Sequence, residues 1–466
     1  LNIELKAIGD LRGLKATVMG LGLNGGGLAC ARFLAERGAI VTVTDMKNEA
    51  ELAEPLAALE GLNLRYVLGR HEIADFAGAD IVIKNPAVRP DSPYLAAARS
   101  IETDISLFLR FSRSPVIAVT GSKGKSSVST AIHYCLSKCG FNALLGGNIA
   151  VSPLSFIERA SISSPVVLEL SSWQLADIRG KGVLKPRISV LTSIMPDHMN
   201  RYSSMDEYVA DKRLIYADQD ESDFTICNRD DSWGPSFASQ TEGSVLWYSD
   251  SEQGFPGAWI DRSRGDKGLY SASGSISDCE EILPEIIAVP GKHQRKNMLC
   301  AALACRAFGA DSKFISAAIA DFHGVEHRLE RFAEKDGIVW YNDSAATIPQ
   351  AVAAALDSFS EHIILITGGT DKNLDFAPFK DAYKKAASII LLSGTGTDKL
   401  IPVLEDSRIS YTGPFDDLDL AIRKARDSAL PGDVIILSPG CTSFGMFLHE
   451  FDRGKKYKES VASLLK

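Results

Sequence analysis

The chain has 466 residues, 45% hydrophobic and 23% charged, with a formal net charge of -9. That length allows two to four domains with sizeable cores, and the acidic balance argues against a general nucleic-acid binder, which carries a basic field. No apolar run is long enough to span a bilayer, and residues 1–14 lack the basic-then-apolar pattern of a signal peptide, so a cytoplasmic chain without membrane insertion is expected.

Three α/β blocks follow one another, each opening with a β-branched run, a glycine turn and an amphipathic helix. In the first, Lys15-Ala-Thr-Val-Met-Gly20 predicts a strand, residues 27–37 a helix, 40–44 a strand ending at Asp45, and Asp80-Ile-Val-Ile-Lys84 a further buried strand. The second opens with Pro115-Val-Ile-Ala-Val-Thr-Gly121 and has strands predicted at 166–170 and 188–192. Residues 230–283, rich in Ser, Gly, Asp and Trp, predict short strands and turns, and a helix returns at 296–308. The third runs from about Gly324, with strands predicted at 338–341, 363–367, 388–392 and 434–437 and helices at 349–358 and 418–429. This alternation implies parallel sheets covered on both faces. The eight cysteines are scattered without a CxxC pair, so neither a zinc ribbon nor a disulfide framework is expected.

Seven segments carry chemistry. Gly20-Leu-Gly-Leu-Asn-Gly25 lies between a strand and a helix, and Asp45 ends the next strand. Such a loop admits a diphosphate to the helix N-terminus, or is simply a tight strand–helix turn. The unaided reading is a dinucleotide site with Asp45 on a ribose. Thr120-Gly-Ser-Lys-Gly-Lys-Ser-Ser127 has the strand–loop–helix setting of a phosphate-binding loop, although Val119 occupies the position of its first glycine. Main-chain N–H groups of Gly121, Ser122, Lys123, Gly124 and Ser127 would wrap phosphates, Lys125 would offset their charge, and Ser126 would ligate Mg²⁺. Glu169, in Leu168-Glu-Leu-Ser-Ser-Trp-Gln-Leu175, ends an apolar strand, where a carboxylate is either an oxygen ligand for Mg²⁺ or a surface group. Asp197 and His198 follow the strand at 188–192, and Lys212 stands on the next helix.

Asn297 is read as opening a helix, where it either caps it or touches an adenine. Arg328 offers a bidentate phosphate contact or a surface salt bridge, and Asp343 ends a strand. The loops Gly368-Gly-Thr-Asp-Lys372 and Ser438-Pro-Gly-Cys-Thr-Ser443, with Phe451-Asp-Arg-Gly454, should converge at one sheet edge, where they could hold a small dianion.

Taken in order, these segments resemble the Mur ligases over nearly the whole chain, and within that family the D-glutamate-adding branch. The resemblance implies three domains: a Rossmann-like N-terminal domain (1–104) for a UDP-linked substrate, a central P-loop ATPase-like mononucleotide-binding domain (105–324) for ATP, and a C-terminal Rossmann-like α/β domain (325–466) for the amino acid. It assigns the first loop to UDP, with Leu23, Asn24, Asp45 and Lys47 around it, and Asn148 to the acyl substrate. Ser126 and Glu169 would hold one Mg²⁺ and His198 a second, with Lys212 carbamylated beside it. Asn297, Arg328 and Asp343 would contact the nucleotide. Thr347, Lys372, Ser443 and Phe451 would hold the amino acid, with Lys372 and Ser443 on its carboxylates.

The implied reaction joins D-glutamate to UDP-N-acetylmuramoyl-L-alanine at the expense of ATP, through an acyl phosphate, in a monomer. Asn200, Gln294, Ala345 and Ile348 depart from the family pattern, the last two beside Thr347. A ligase using another amino acid such as L-glutamate, a folylpolyglutamate-type ligase and a non-catalytic nucleotide-binding regulator are the competing readings.

Overall fold

The computed structural model describes residues 5–21, 26–149, 151–197, 199 and 201–466. They form two compact units, one of Leu1–Glu285 with Asn297–Ile319, the other of Ile286–Lys296 with Ala320–Lys466.

The first unit holds two sheets. One contains β1 (Lys15–Met19), β2 (Ile40–Asp45), β3 (Leu64–Leu68), β4 (Ile81–Lys84) and β5 (Ile101–Glu102), in the order β3-β2-β1-β4-β5 and parallel throughout. The other has nine strands: β6 (Val116–Thr120), β7 (Leu144–Gly147), β8 (Val166–Glu169), β9 (Ile188–Leu191), β10 (Phe224–Asn228), β11 (Ser244–Ser249), β12 (Gly257–Asp261), β13 (Lys267–Ser271) and β14 (Glu280–Leu283). Its order is β14-β13-β12-β11-β10-β9-β6-β8-β7, so β6 lies between β8 and β9. All five residues of β6 are buried, which is why its first four form an apolar run rather than an alternating pattern.

The helices that position the site are α1 (Gly26–Glu36), α2 (Asp104–Phe111), α3 (Lys125–Lys138), α4 (Ser172–Asp177) and α5 (Met205–Arg213). Two of the sequence-predicted blocks share one core: Val18, Val43 and Phe108 belong to the same buried cluster as Phe156, Leu168 and Val209. Phe108 meets Phe156 edge-on with ring centroids 5.7 Å apart, a favourable aromatic geometry.

The second unit contains β15 (Glu330–Lys335), β16 (Ile338–Asn342), β17 (Ile363–Thr367), β18 (Ala386–Leu392), β19 (Thr412–Phe415) and β20 (Val434–Leu437), in the order β15-β16-β20-β17-β18-β19. Side chains of a strand alternate between faces. Ile363 and Leu365 of β17 therefore join one buried cluster while Ile364 and Ile366 join another on the opposite side. The sheet is covered on both faces, as its apolar strands imply.

Two expectations need correction. The sheets are not wholly parallel, because β12-β13-β14 and β15-β16 pair antiparallel. The helix predicted at 296–308 is α6 (Lys292–Phe308), so Asn297 lies inside it and does not open it. Its first turn, Lys292-His-Gln-Arg-Lys, is polar, so apolar periodicity starts only at Met298, while Gln, Arg and Lys have good helix propensity.

Candidate active site

The loop after β1 is built for close backbone approach. Gly20 has φ +87, and a Cβ on Gly27 would lie 2.0 Å from the Gly20 carbonyl oxygen. Only glycine at position 27 lets α1 start against the strand end. Asp45 is buried at the end of β2, and its carboxylate organises this turn. One oxygen accepts from Leu21 N–H at 2.8 Å and the other from Lys47 N–H at 2.9 Å. Leu23 and Asn24 lie outside the described residues; Lys47 is partly exposed at the loop edge.

The second glycine loop runs from β6 into α3. Gly121 (φ +149) and Gly124 (φ +91) both occupy backbone conformations that L side chains rarely adopt. A Cβ on Gly121 would fall 1.9 Å from Thr192 Oγ1, and one on Gly124 would fall 2.6 Å from Asn297 Oδ1. The Asn297 amide therefore packs directly on the loop, although the residue lies mid-helix. Ser122 is buried and ties the loop to its surroundings: its hydroxyl donates to the Met195 carbonyl at 2.9 Å and lies 3.0 Å from Tyr208 Oη. Lys123 points outward, 3.5 Å from Asp197. Ser126 and Ser127 occupy the first turn of α3, where helix N–H groups and the dipole favour anions.

Lys125 and Lys212 meet at one acceptor. Lys125 Nζ donates to the Gly121 carbonyl at 3.0 Å and the Ser122 carbonyl at 3.2 Å; Lys212 Nζ donates to the same Gly121 oxygen at 2.8 Å. Lys212 is only 1% exposed, and its Nζ lies 4.4 Å from the Tyr208 ring centroid. Burial pushes its amine down to about 7, and the Lys125 charge adds to the effect against the opposing pull of Asp197 and Asp211. A lysine read from sequence as a helix residue is thus a buried amine near neutrality.

Glu169 is 1% exposed, which rules out the surface reading. Its carboxylate accepts from Asn148 Nδ2 at 2.9 Å and from Ser129 Oγ at 3.4 Å, and the Asn148 N–H donates to the Glu169 carbonyl at 2.8 Å. Among the described residues no lysine or arginine forms an ion pair with it. A buried carboxylate held by the neutral partners Asn148 and Ser129, the latter in the same helix as Ser126, suits a hard divalent cation. His198, the expected second ligand, lies outside the described residues.

The two glycine loops face one space. A cavity of about 550 Å³ is lined by Gly20, Gly26 and Gly27 of the first loop and helix, and by Lys125, Asn148 and Lys212 from the second sheet. Among the described lining residues Asp104 is the one carboxylate, and burial raises its pKa.

In the second unit the two glycine-bearing loops converge as expected. Thr370 and Thr442 exchange backbone hydrogen bonds of 3.1 and 3.0 Å, and Lys372 Nζ donates to Thr347 Oγ1 at 3.3 Å. Ser443 is buried in the zipped segment, and Phe451 lies on α7 (Glu450–Leu464) with its ring 5.5 Å from that of His327. Asp343 accepts from Leu329 N–H at 3.1 Å and Ser438 Oγ at 2.7 Å, and burial lifts its carboxyl to about 7. Arg328 is exposed, between His327 and Leu329, which both have positive φ.

Sequence reasoning missed several contributors. Tyr208 stands four residues before Lys212, on the same helix face, and helical spacing could have found it. Thr192 was read only as a strand end, and Arg453 only as part of the segment Phe451-Asp-Arg-Gly454, with no role of its own. Arg453 is 1% exposed and holds the Ser344 and Cys441 carbonyls at 2.8 and 3.2 Å, joining two loops distant in sequence.

Comparison with known proteins accounts for this arrangement. Residues 14–106 match the Mur ligase MurD-like N-terminal domain, 119–305 the Mur ligase middle domain and 327–441 the Mur ligase glutamate ligase domain. The chain is 40% identical to a UDP-N-acetylmuramoylalanine--D-glutamate ligase of Treponema pallidum, with 97% of this chain and 98% of that protein covered. It is 38% identical to proteins of that name from Borreliella afzelii, covering 98% and 99%, and Roseiflexus sp., covering 97% and 99%. Among solved structures it resembles the UDP-N-acetylmuramate-alanine ligase MurC of Thermotoga maritima, with TM-score 0.63 at 19% identity, covering 97% and 100% of the two chains. It also resembles the MurF ligase of Thermotoga maritima in complex with ADP, with TM-score 0.55 at 13% identity, covering 99% and 98%. The chain belongs to the Mur ligase family, the ATP-dependent ligases that form amide bonds.

Proposed function

We propose that this protein joins D-glutamate to the alanyl carboxylate of UDP-N-acetylmuramoyl-L-alanine, with ATP cleaved to ADP and phosphate, in the assembly of peptidoglycan precursors. The observation that carries this reading is the cavity bounded by the first glycine loop, Lys125 of the phosphate loop and Lys212 of α5. A diphosphate-linked acyl substrate can lie along it from the N-terminus of α1 to Lys125. Residues 1–104 would take the UDP-linked substrate, 105–324 ATP, and 325–466 the amino acid. The working form is a cytoplasmic monomer.

A carboxylate is a poor electrophile, and its reaction with ATP brings two anions together. Lys125 and the amides of Gly121, Ser122, Lys123, Gly124 and Ser127 offset the phosphate charge. Transfer of the γ-phosphoryl group to the carboxylate oxygen gives an acyl phosphate and ADP. The amine of D-glutamate attacks the acyl carbon, and the tetrahedral adduct expels inorganic phosphate as the amide forms. Asn148 orients the acyl end while it holds Glu169. Ser126 and Glu169 fit one Mg²⁺, and His198, with a carbamate on Lys212, would serve a second. When bound, these ions screen the oxygen charges that otherwise oppose the transfer. Carbamylation needs a neutral amine, which the burial of Lys212 supplies. Asn297, Arg328 and Asp343 serve the nucleotide. Lys372 and Ser443 take the carboxylates of the amino acid, with Thr347 and Phe451 beside them. Leu23, Asn24, Asp45 and Lys47 surround the uridine diphosphate.

The test is phosphate release with ATP, Mg²⁺ and UDP-N-acetylmuramoyl-L-alanine, comparing D-glutamate with L-glutamate and other amino acids. Turnover confined to D-glutamate is expected. Turnover confined to a different amino acid moves the specificity, to which Ala345 and Ile348 beside Thr347 are relevant. No amino-acid-dependent ADP release at all would sink the ligase reading.

A further inference from the structure

Lys84 is the last residue of β4, and its Cα pairs in register with Met19 at the end of β1. In the order β3-β2-β1-β4-β5, the chain turns from one half of the sheet to the other between these two strands. The crevice there is where open α/β sheets receive ligands. A lysine on such a rim is ordinarily solvated. The Lys84 side chain is only 3% exposed, and its Nζ donates to Asp177 Oδ2 at 2.7 Å. Asp177 is itself 10% exposed and ends α4.

This ion pair joins two elements, β4 and α4, that both contribute to the lining of one cavity. Met19, Gly20 and Lys84 line it from the first sheet, and Ser172, Trp173 and Gln174 line it from α4. Burial pushes the Asp177 carboxyl up, and Lys84 is the largest of the charges that oppose this, ahead of Arg201 and Lys181. Arg201 stacks on Trp173 with its guanidinium carbon 4.1 Å from the ring centroid, so the wall residue is braced from the same cluster. Replacing a buried ion pair by a well-packed apolar pair of similar volume is often neutral or stabilising. What a charged pair adds is a fixed distance and direction between the two elements that carry it.

We propose that Lys84 is a positioning residue for the UDP-linked acyl substrate: its ion pair with Asp177 sets α4 at a defined separation from the glycine loop, so that the wall bearing Trp173 and Gln174 meets the ligand in register. The inference rests on the substrate reading above. Lys84 reaches the cavity with only 3% of its side chain exposed, and its effect on the ligand is exerted through α4.

The test uses the full chain and the double variant Lys84→Met, Asp177→Leu, which leaves no unpaired buried charge. The charge-swapped Lys84→Asp, Asp177→Lys is made beside it. Binding of UDP-N-acetylmuramoyl-L-alanine is measured by calorimetry, together with the KM of that substrate, the KM of ATP and thermal melting. The expected result is a rise of about tenfold in Kd and KM for the UDP-linked substrate, with the KM of ATP and the melting temperature near wild type, and partial recovery in the swapped pair. Wild-type affinity in the double variant overturns the proposal. A parallel rise in both KM values, the mark of general loss of structure, overturns it as well. Wild-type protein that fails to bind the UDP-linked substrate overturns the substrate reading itself, an outcome separate from a variant that binds like wild type.

Discussion

Lys125 and Lys212 donate to a single carbonyl oxygen, that of Gly121, at 3.0 and 2.8 Å. Two ammonium groups on one acceptor repel each other, and one can relieve the strain by losing its proton. Lys212, the more buried, is the one driven down to about 7. The lysine of the phosphate loop therefore shares its acceptor with a buried amine of α5 that is poised between charged and neutral.

In the proposed reaction Lys125 would supply the charge that faces the transferred phosphoryl group, because Lys123, the other lysine of the loop, points outward toward Asp197. The substitution Lys125→Ala should lower ATP turnover by about 10³-fold, the scale of losing a charge aimed at a developing anion. Phosphate release at saturating ATP measures it. Turnover near wild type would remove the loop from the reaction.

Lys212 yields a pH dependence with a definite sign. With a pKa of about 7 in the fold, roughly one-tenth of the amine is neutral at pH 6 and nine-tenths at pH 8. Only the neutral amine takes up carbon dioxide. Activation by bicarbonate should therefore grow as pH rises through about 7, and the opposite trend would refute the assignment. Lys212→Ala should be inactive and partly restored by a short carboxylic acid; full activity without added acid would show that Lys212 carries no such group.

Gly121 is bound by space as well as by φ. Alanine there would bring Cβ to 1.9 Å from Thr192 Oγ1 and 3.0 Å from Thr192 Cβ. Gly121→Ala should cost at least about 2 kcal/mol and displace the loop. Adding Thr192→Ala removes the nearer contact and should recover part of the loss, leaving the backbone term. Urea unfolding of the single and double variants measures both, and an undisturbed single variant would contradict the geometry.

The sequence revealed most where chemistry and secondary structure coincide. Strand–glycine–helix transitions at Gly20 and Gly121 were legible because the apolar run, the turn and the helix are contiguous. Asp45 and Glu169 were legible as carboxylates at strand ends. The environment of each was not: nothing local says that Glu169 is shielded by Asn148, or that Lys212 folds back onto a carbonyl 91 residues earlier in the chain. Asn297 was misplaced because its helix begins with a polar turn. The role of Arg453, inside the segment 451–454, was hidden because it joins the loops at Ser344 and Cys441, and such pairings exist only after the sheet has formed. The shared core of the first two blocks was hidden too, since periodicity reports that a face is apolar but not what covers it.

Asp343 offers a stability test independent of catalysis. Burial lifts its carboxyl to about 7, against an ordinary value of 3.8. Between about pH 4 and 7 the folded chain holds this proton while the unfolded chain has released it. The group's contribution is thus fully present below about pH 4 and is lost as pH rises through about 7. Asn at this position is isosteric, can still accept from Leu329 N–H, and cannot ionise. Wild type should therefore lose stability relative to Asp343→Asn as pH increases from 4 to 8. Paired urea unfolding curves at those two pH values measure the difference. A gap that stays constant would mean that Asp343 is ionised throughout, stabilised by Ser438 and Leu329 against its burial.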